Sequence, residues 1–348
     1  MTILQLNPPN NKSPAAPAPC HLYKTKKTRP KHLRRVATDD ELEEKVVCVT
    51  SGVSYLGLAI VGHLVSRGYH VRVIVHNQED MEKLGEMRSN RITAVLANLM
   101  EPENLVDALD GCHGVFHTTS FIDPAGFSGY SKTMAEVEVK ATENVMEACA
   151  ATPTVRKCVL TSSLLACIWR QNQADELLTS AVVNHRDWSD ESICQSKRLW
   201  YALGKLRSEK AAWRVAEKKG LNLTSICAGL VTGPDFATKN PTATIAYLKG
   251  AQEMYRSGVL AIVDVTSLAE SHVRVYEEMN RSAFGRYICF DKVVSGHEQA
   301  QKLAEEARVA EQTITGNGPV EELRRFELSN QKMSNLISRT MMSRCYES

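Results

Sequence analysis

The sequence predicts an α/β fold: a doubly wound parallel sheet of the Rossmann type, followed by a smaller C-terminal substrate-binding lobe. Three observations predict it. From residue 45 onward, short strands rich in Val, Ile and Leu alternate with helical stretches, the pattern of a parallel sheet covered on both faces. The stretch "CVTSGVSYLGLAIVGHLVSRGYHVRVIV" (48–75) joins a strand, a small-residue turn, an apolar-striped helix and a second strand, which is half of a nucleotide-binding unit. After Gly233-Pro234 the regularity fades into shorter units, where a lobe is usually added to such a core.

Residues 1–44 come first and stand apart. They hold six of the twelve prolines, and residues 1–38 carry eight Lys or Arg and no acid. This composition reads as a disordered basic arm. Its cluster "KTKKTRPKHLRR" reads as a solvated linker. The alternatives are a nuclear signal, a tether to an acidic protein partner, and a plastid transit peptide, weak because Ser13 is the segment's one serine. Setting those eight aside from the 42 basic residues leaves 34 against 40 acidic ones, about −6 for the remainder. The body is therefore mildly acidic with interleaved charges, which excludes a nucleic-acid-binding body.

No apolar run approaches the roughly 18 to 20 residues of a membrane helix, and the polar N-terminus has no secretory h-region. The ten cysteines lie singly, with no CxxC. Buried, reduced thiols in a reducing, cytoplasmic setting are the expectation. His63, His113 and His185 show no metal-ligand spacing, and no metal is expected.

The core, 45–234, reads as strands at 46–50, 71–75, 92–96, 114–118, 156–161 and 222–227. Helices fall between them at 55–67, 79–88, 102–109, 134–150 and 201–218. In "VEVKATENVMEACAA", Val137, Ala141, Val145 and Ala148 share one helix face. Residues 235–348 are mainly the lobe, with a helix near 240–256 and strand-like "GVLAIVDV" and "GRYICFD". Ligands of such sheets sit beyond the carboxyl ends of the strands.

Two stretches at those ends carry chemistry. "WYALGKLRSEKAAW" spaces Tyr201 and Lys205 four apart on a helix, so the ammonium lies beside the phenol. A phenol ionises near pH 10, and an adjacent ammonium lowers that value toward a working proton donor. The lysine can also hold a nicotinamide ribose. The strand of "KCVLTSSLLACIW" ends at Thr161, Ser162 and Ser163. Ser163 is placed to hydrogen-bond a substrate carbonyl while Tyr201 delivers the proton, with Ser162 as the second candidate. His117, at the end of the fourth strand, reads as packing. Asp187 and Asp190 around Trp188 read as solvated loop charges.

With these residues in hand, the chain from 45 to about 337 resembles the extended short-chain dehydrogenase/reductases. It is most similar to their plant cinnamoyl-CoA reductase and dihydroflavonol reductase branch, associated with phenylpropanoid metabolism, lignin and defence. The resemblance is carried by "VTSGVSYLG", "GVFHTTS", "VLTSSLLA", "WYALGK", "LVTGP", "GRYIC" and "FELSNQK" in family order. It implies an NADP(H)-dependent reductase, with NAD(H) the variant, and Ser163, Tyr201 and Lys205 as its triad. The implied cofactor contacts are Thr50, Ser51, Ser54, Tyr55, Leu56, Gly57, His76, Asn98, Leu99, Thr118, Thr119, Ser120, Ala228 and Val231, with Tyr201 and Lys205. The implied substrate is a hydroxycinnamoyl-CoA ester or a smaller phenolic aldehyde or ketone.

Departures from the family pattern concentrate on the cofactor side. Ser51 and Ser54 replace glycines of the turn. Ser51 costs roughly 1 kcal/mol if the turn needs a positive φ, and Ser54 puts a side chain where a phosphate would press. His76 replaces the arginine that grips the 2′-phosphate, with Arg72 and Lys83 as candidate compensators. Asn98 replaces an aspartate and Ala228 a proline. On the substrate side, Asp264 and Thr266 replace a histidine and an arginine, a loss of positive charge that weakens the case for a CoA ester. Ser51, Ser54, His76 and the basic arm sustain an alternative expectation, a catalytically weak scaffold or regulator that holds a nucleotide or phenolic on a reductase fold.

Overall fold

The computed structural model describes residues 3–5, 45–118, 130–170, 181–317 and 326–347. A short strand β1 (Ile3–Gln5) precedes β2 (Val46–Val49), α1 (Tyr55–Ser66), β3 (His70–Val75), α2 (Gln78–Gly85) and β4 (Ile92–Leu96). Then follow α3 (Pro102–Leu109), β5 (Gly114–His117), α4 (Lys132–Ala151), β6 (Lys157–Ser163), β7 (Ala181–Val183), α5 (Glu191–Ser196), α6 (Trp200–Lys219) and β8 (Asn222–Ala228). The chain continues through β9 (Leu230–Thr232), α7 (Phe236–Lys239), α8 (Pro241–Leu248), α9 (Ala251–Arg256), β10 (Ala261–Asp264), α10 (Val265–Glu278) and β11 (Gly285–Cys289). It closes with β12 (Lys292–Val293), α11 (His297–Ala307), α12 (Gln312–Thr315), β13 (Phe326–Leu328) and α13 (Gln331–Glu347).

The main sheet runs β1-β4-β3-β2-β5-β6-β8-β11. Its seven strands from β4 to β11 are parallel, and β1 lies antiparallel on the β4 edge. Both faces are covered, so the central strand β2 buries side chains on both sides: Val47, Cys48 and Val49 are all fully buried. On one face Ile60, Val61 and Leu64 of α1 meet Val273 and Tyr276 of α10. On the other, Val145 of α4 and Ala212 of α6 meet Leu105 of α3. Strand order reverses between β2 and β5, the switch point where such sheets bind ligands. Two small sheets, β12-β10-β9 and β13-β7, each pair strands from before residue 234 with strands from after it.

Three details differ from the sequence reading. The arm was expected to carry no element, yet Ile3–Gln5 pairs with residues 93–95, because the β4 edge offers unpaired backbone groups. The rest of 1–44 lies outside the described residues. The strand of "GRYICFD" is β11, paired to β8 in the main sheet rather than part of the lobe. On α4, Val137 is half-buried, and the buried face is Ala135, Glu138, Ala141, Val145 and Ala148. Cys48, Cys112, Cys149, Cys158, Cys167, Cys194, Cys227 and Cys289 are free thiols, all buried. Among the described residues no helix is long and apolar enough to cross a membrane.

Candidate active site

Two cavities open beyond the carboxyl ends of the strands, and Ser54 lines both. The first brings together Ser163, Tyr201 and Lys205 with Tyr55, Leu56, Thr118, Ala228 and Val231. Ser163 closes β6, and its Oγ accepts a hydrogen bond from the Leu165 amide at 3.2 Å, leaving the hydroxyl proton available to a ligand. The Ser162 hydroxyl donates to Glu209 at 2.7 Å. Glu209 is itself fully buried and ion-paired with Arg286 at 2.8 Å. Ser162 is thus committed to a structural network, and Ser163 is the serine with chemistry to spare.

Tyr201 and Lys205 lie on the first two turns of α6, with the Lys205 ammonium 5.4 Å from the Tyr201 ring centre. The sequence did not disclose their neighbours. Glu138 of α4 receives Lys205 at 2.7 Å, and the Tyr130 hydroxyl donates to its second carboxylate oxygen. The Tyr130 and Tyr201 rings meet edge to face at 5.1 Å. The phenol of Tyr201 is consequently not lowered, as the lysine alone predicts. Burial pushes it above the ordinary tyrosine value, Lys205 pulls down, and Glu138 pushes up again. Burial is the largest single influence on Lys205 and pulls it down, but the Glu138 charge, Tyr201 and the hydrogen bond to Glu138 together outweigh it, so its ammonium is held above its usual value. The signal for Glu138 was a charged residue on the apolar face of α4, three residues before Ala141.

The altered turn has a local explanation. Ser51 is buried and its φ is not positive, so the expected strain is absent. Ser54 is the N-cap of α1, at φ −70°. Its hydroxyl donates to the Ser51 carbonyl at 2.7 Å and accepts from the Gly57 amide at 3.1 Å. The side chain is folded back onto its own turn and does not press on a phosphate. Glycine is required elsewhere. A Cβ on Gly57 would lie 2.0 Å from the Ser51 carbonyl oxygen, and one on Gly52 would lie 2.5 Å from Val73. The amides of Tyr55 and Leu56, in the first turn, have no intrahelical acceptor and suit an anion. The buried Thr118 Oγ1 in the same cavity has no hydrogen-bond partner among the described residues. Orphan hydroxyl, helix start and lysine together fit the diphosphate and nicotinamide ribose of a dinucleotide.

The second cavity is lined by Ser51, Ser54, His76, Asn98 and Leu99, with Asp80 and Lys83, which suits the adenosine end. His76 is exposed and its amide donates to Asp80 at 3.0 Å. The Asn98 side chain folds locally, its amide on Glu101 and its carbonyl on the Met100 amide, both at 3.0 Å. Arg72 does not compensate for His76, because its guanidinium is held by the Ala108 and Asp110 carbonyls at 2.8 and 2.6 Å. Lys83 stays at the cavity, in an exposed pair with Glu79. Thr50 and Gly57 line neither cavity and shape the turn from beneath. Thr119 and Ser120 lie outside the described residues.

His117 packs as expected. It is fully buried between the hydroxyls of Thr50 (3.0 Å) and Thr142 (3.2 Å), and burial lowers it to about 3. Asp187 and Asp190 are not free loop charges. Asp187 pairs with Arg170 at 2.9 Å, Asp190 caps α5, and Trp188 stacks on Arg286 at 3.5 Å. Asp264, standing for a histidine, caps α10 through the Thr266 and Ser267 amides.

Residues 48–221 match the family described as 3-beta hydroxysteroid dehydrogenase/isomerase. Cinnamoyl-CoA reductase 1 of Petunia hybrida is 33% identical over 305 residues, 84% of this chain and 86% of the relative. Tetraketide alpha-pyrone reductase 2 of Arabidopsis thaliana is 32% identical over 260 residues, covering 72% and 79%. Among solved structures, yeast methylglyoxal/isovaleraldehyde reductase complexed with NADPH superposes with a TM-score of 0.64 at 22% identity, over 84% of this chain and 93% of that one. The ordered motifs, the doubly wound sheet and these relatives converge: the chain belongs to the 3-beta hydroxysteroid dehydrogenase/isomerase family of extended short-chain reductases, and it is an oxidoreductase.

Proposed function

We propose that the protein is an NADP(H)-dependent reductase of phenylpropanoid-type carbonyl compounds, with Ser163, Tyr201 and Lys205 as its working residues. The observation that carries this reading is their convergence, from β6 and α6, on one cavity beside the α1 turn. When bound, the nicotinamide supplies the hydride. The chain supplies the rest. Ser163 donates a hydrogen bond to the substrate carbonyl oxygen and fixes its position. Tyr201 gives its phenolic proton to that oxygen as the alcohol forms. Lys205 holds the ribose hydroxyls, and Tyr55, Leu56 and Thr118 receive the diphosphate end. The scaffold alternative loses its main support, since Ser51 and Ser54 fit the turn without strain.

For the substrate, the cleft beside the site ranks the smaller phenolic aldehydes and ketones ahead of CoA thioesters. Its lining holds Asp235, Asp264, Asp291, Glu305 and Glu306 against Lys292, Lys302 and Arg308, an excess of negative charge that repels a phosphate-rich ligand. The test is calorimetric NADPH binding followed by an NADPH-oxidation assay on phenolic aldehydes, ketones and hydroxycinnamoyl-CoA esters. Binding with turnover of a phenolic carbonyl is expected, and Tyr201→Phe should cut kcat by about 10²-fold or more while still binding NADPH. Failure to bind NADPH and NADH alike would sink the reductase reading.

A further inference from the structure

The carboxylate of Glu138 is 1% exposed and sits on the ammonium that flanks Tyr201. Lys205 is 5% exposed, so solvent screens the pair little. A lysine alone would favour the phenolate of Tyr201. With an acid in direct contact, the pair presents almost no net charge to the phenol. The Tyr130 hydroxyl holds the other carboxylate oxygen, and the Tyr130 ring abuts the Tyr201 ring. Charge and ring orientation are therefore set by one unit built across α4 and α6.

Among the described residues, the other groups around Tyr201 do not restore the positive field. Tyr247 of α8 is a buried phenol held above its ordinary value by that burial. His117 of β5 is neutral down to about pH 3. Ser163 of β6 is uncharged. Glu209, one turn beyond Lys205, has its charge met by Arg286.

We propose that Glu138 is a positioning residue that keeps Tyr201 in its proton-bearing form and thereby biases the site toward carbonyl reduction and against alcohol oxidation. The proposal rests on the reductase reading for its direction but not for its measurement. Reduction consumes the phenol, which donates its proton to the carbonyl oxygen. Oxidation needs the phenolate, which takes the proton from the alcohol. An acid beside Lys205 therefore extends reduction to higher pH and delays oxidation.

The experiment compares wild type, Glu138→Gln, Glu138→Asp and Tyr130→Phe in two ways. The first is the pH profile of kcat/KM in both directions. The second is tyrosinate absorbance during alkaline titration, each protein minus its own Tyr201→Phe version. Glu138→Gln is expected to move the alkaline limb of reduction down by about one pH unit, a tenfold loss at a pH on that limb, and to move the pH at which oxidation switches on down by the same unit. Glu138→Asp and Tyr130→Phe, which keep the charge, are expected to stay with wild type. An unmoved limb in Glu138→Gln, or an equal shift in Tyr130→Phe, would overturn the proposal. If Glu138→Gln does not fold, the wild-type titration decides, since Tyr201 phenolate appearing near neutral pH contradicts it. Absence of any turnover would count against the reductase reading alone, because the titration still reports on Tyr201.

Discussion

Gly57 is the residue on which the cofactor turn depends, because a methyl group there would overlap the Ser51 carbonyl. Gly57→Ala should cost roughly 1–3 kcal/mol and weaken NADPH binding, read by denaturant unfolding and calorimetry. Restoring the family's glycine with Ser54→Gly should do the reverse of an improvement. It removes a cap worth a few tenths of a kcal/mol over glycine and leaves NADPH binding no tighter. At the adenosine end His76→Arg should tighten NADPH and leave NADH unchanged, since it adds a cation where Arg72 is tied away. Legibility differed among residues for a physical reason. Ser163, Tyr201 and Lys205 announce themselves by type and spacing. The fitness of Ser51 and Ser54 rests on backbone angles and a hydrogen bond, which a list of expected glycines does not encode. The Glu138–Lys205 contact joins positions 67 apart, and only the packing of two helices brings them together.

Elements carry the stability of the site. Glu209 on α6 joins β6 through Ser162, β8 through Ser225 and β11 through Arg286. The Arg286 side holds Glu209 below the ordinary carboxylate range despite complete burial. Glu209→Ala strands the guanidinium and should cost about 3–5 kcal/mol, seen as a lower urea midpoint with Ser163 displaced at the end of β6. Acid should act on β5 and α10. His117 and His272 are fully buried, and burial lowers them to about 3 and about 4. The unfolded chain binds their protons near pH 6.5 and the folded one does not, so stability rises with pH across that window. Each unit below about 6.5 should cost about 1.4 kcal/mol per histidine. His272→Gln should blunt the loss, measured by melting between pH 4 and 7. Helix and strand identities were readable because apolar periodicity is local. The three-residue strands β7, β9 and β13 were not, being too short to show a period.

Across the whole molecule, the parallel sheet and its switch point follow from the alternation of elements, which is why the architecture was legible from residue 45 onward. The edge strand β1 was not, since three residues in a proline-rich arm carry no pattern. Removing residues 1–44 should leave the melting temperature almost unchanged but bare the outer edge of β4. Increased self-association in sedimentation is the expected outcome, and an unchanged sedimentation profile would show that the edge needs no cover. The chain leaves the main sheet at Ala228 and re-enters it on the adjacent strand at Gly285, and the two strands end side by side at Ala228 and Cys289. Between those neighbours, residues 229–264 contribute Gly229, Asn240, Ala243 and Tyr247 to the wall of the first cavity, while Ser163, Tyr201 and Lys205 lie earlier in the chain. Inheritance can therefore act on the two parts separately: a gene segment flanked by paired anchors can diverge, or be exchanged between relatives, and alter what the cavity accepts without disturbing those three side chains.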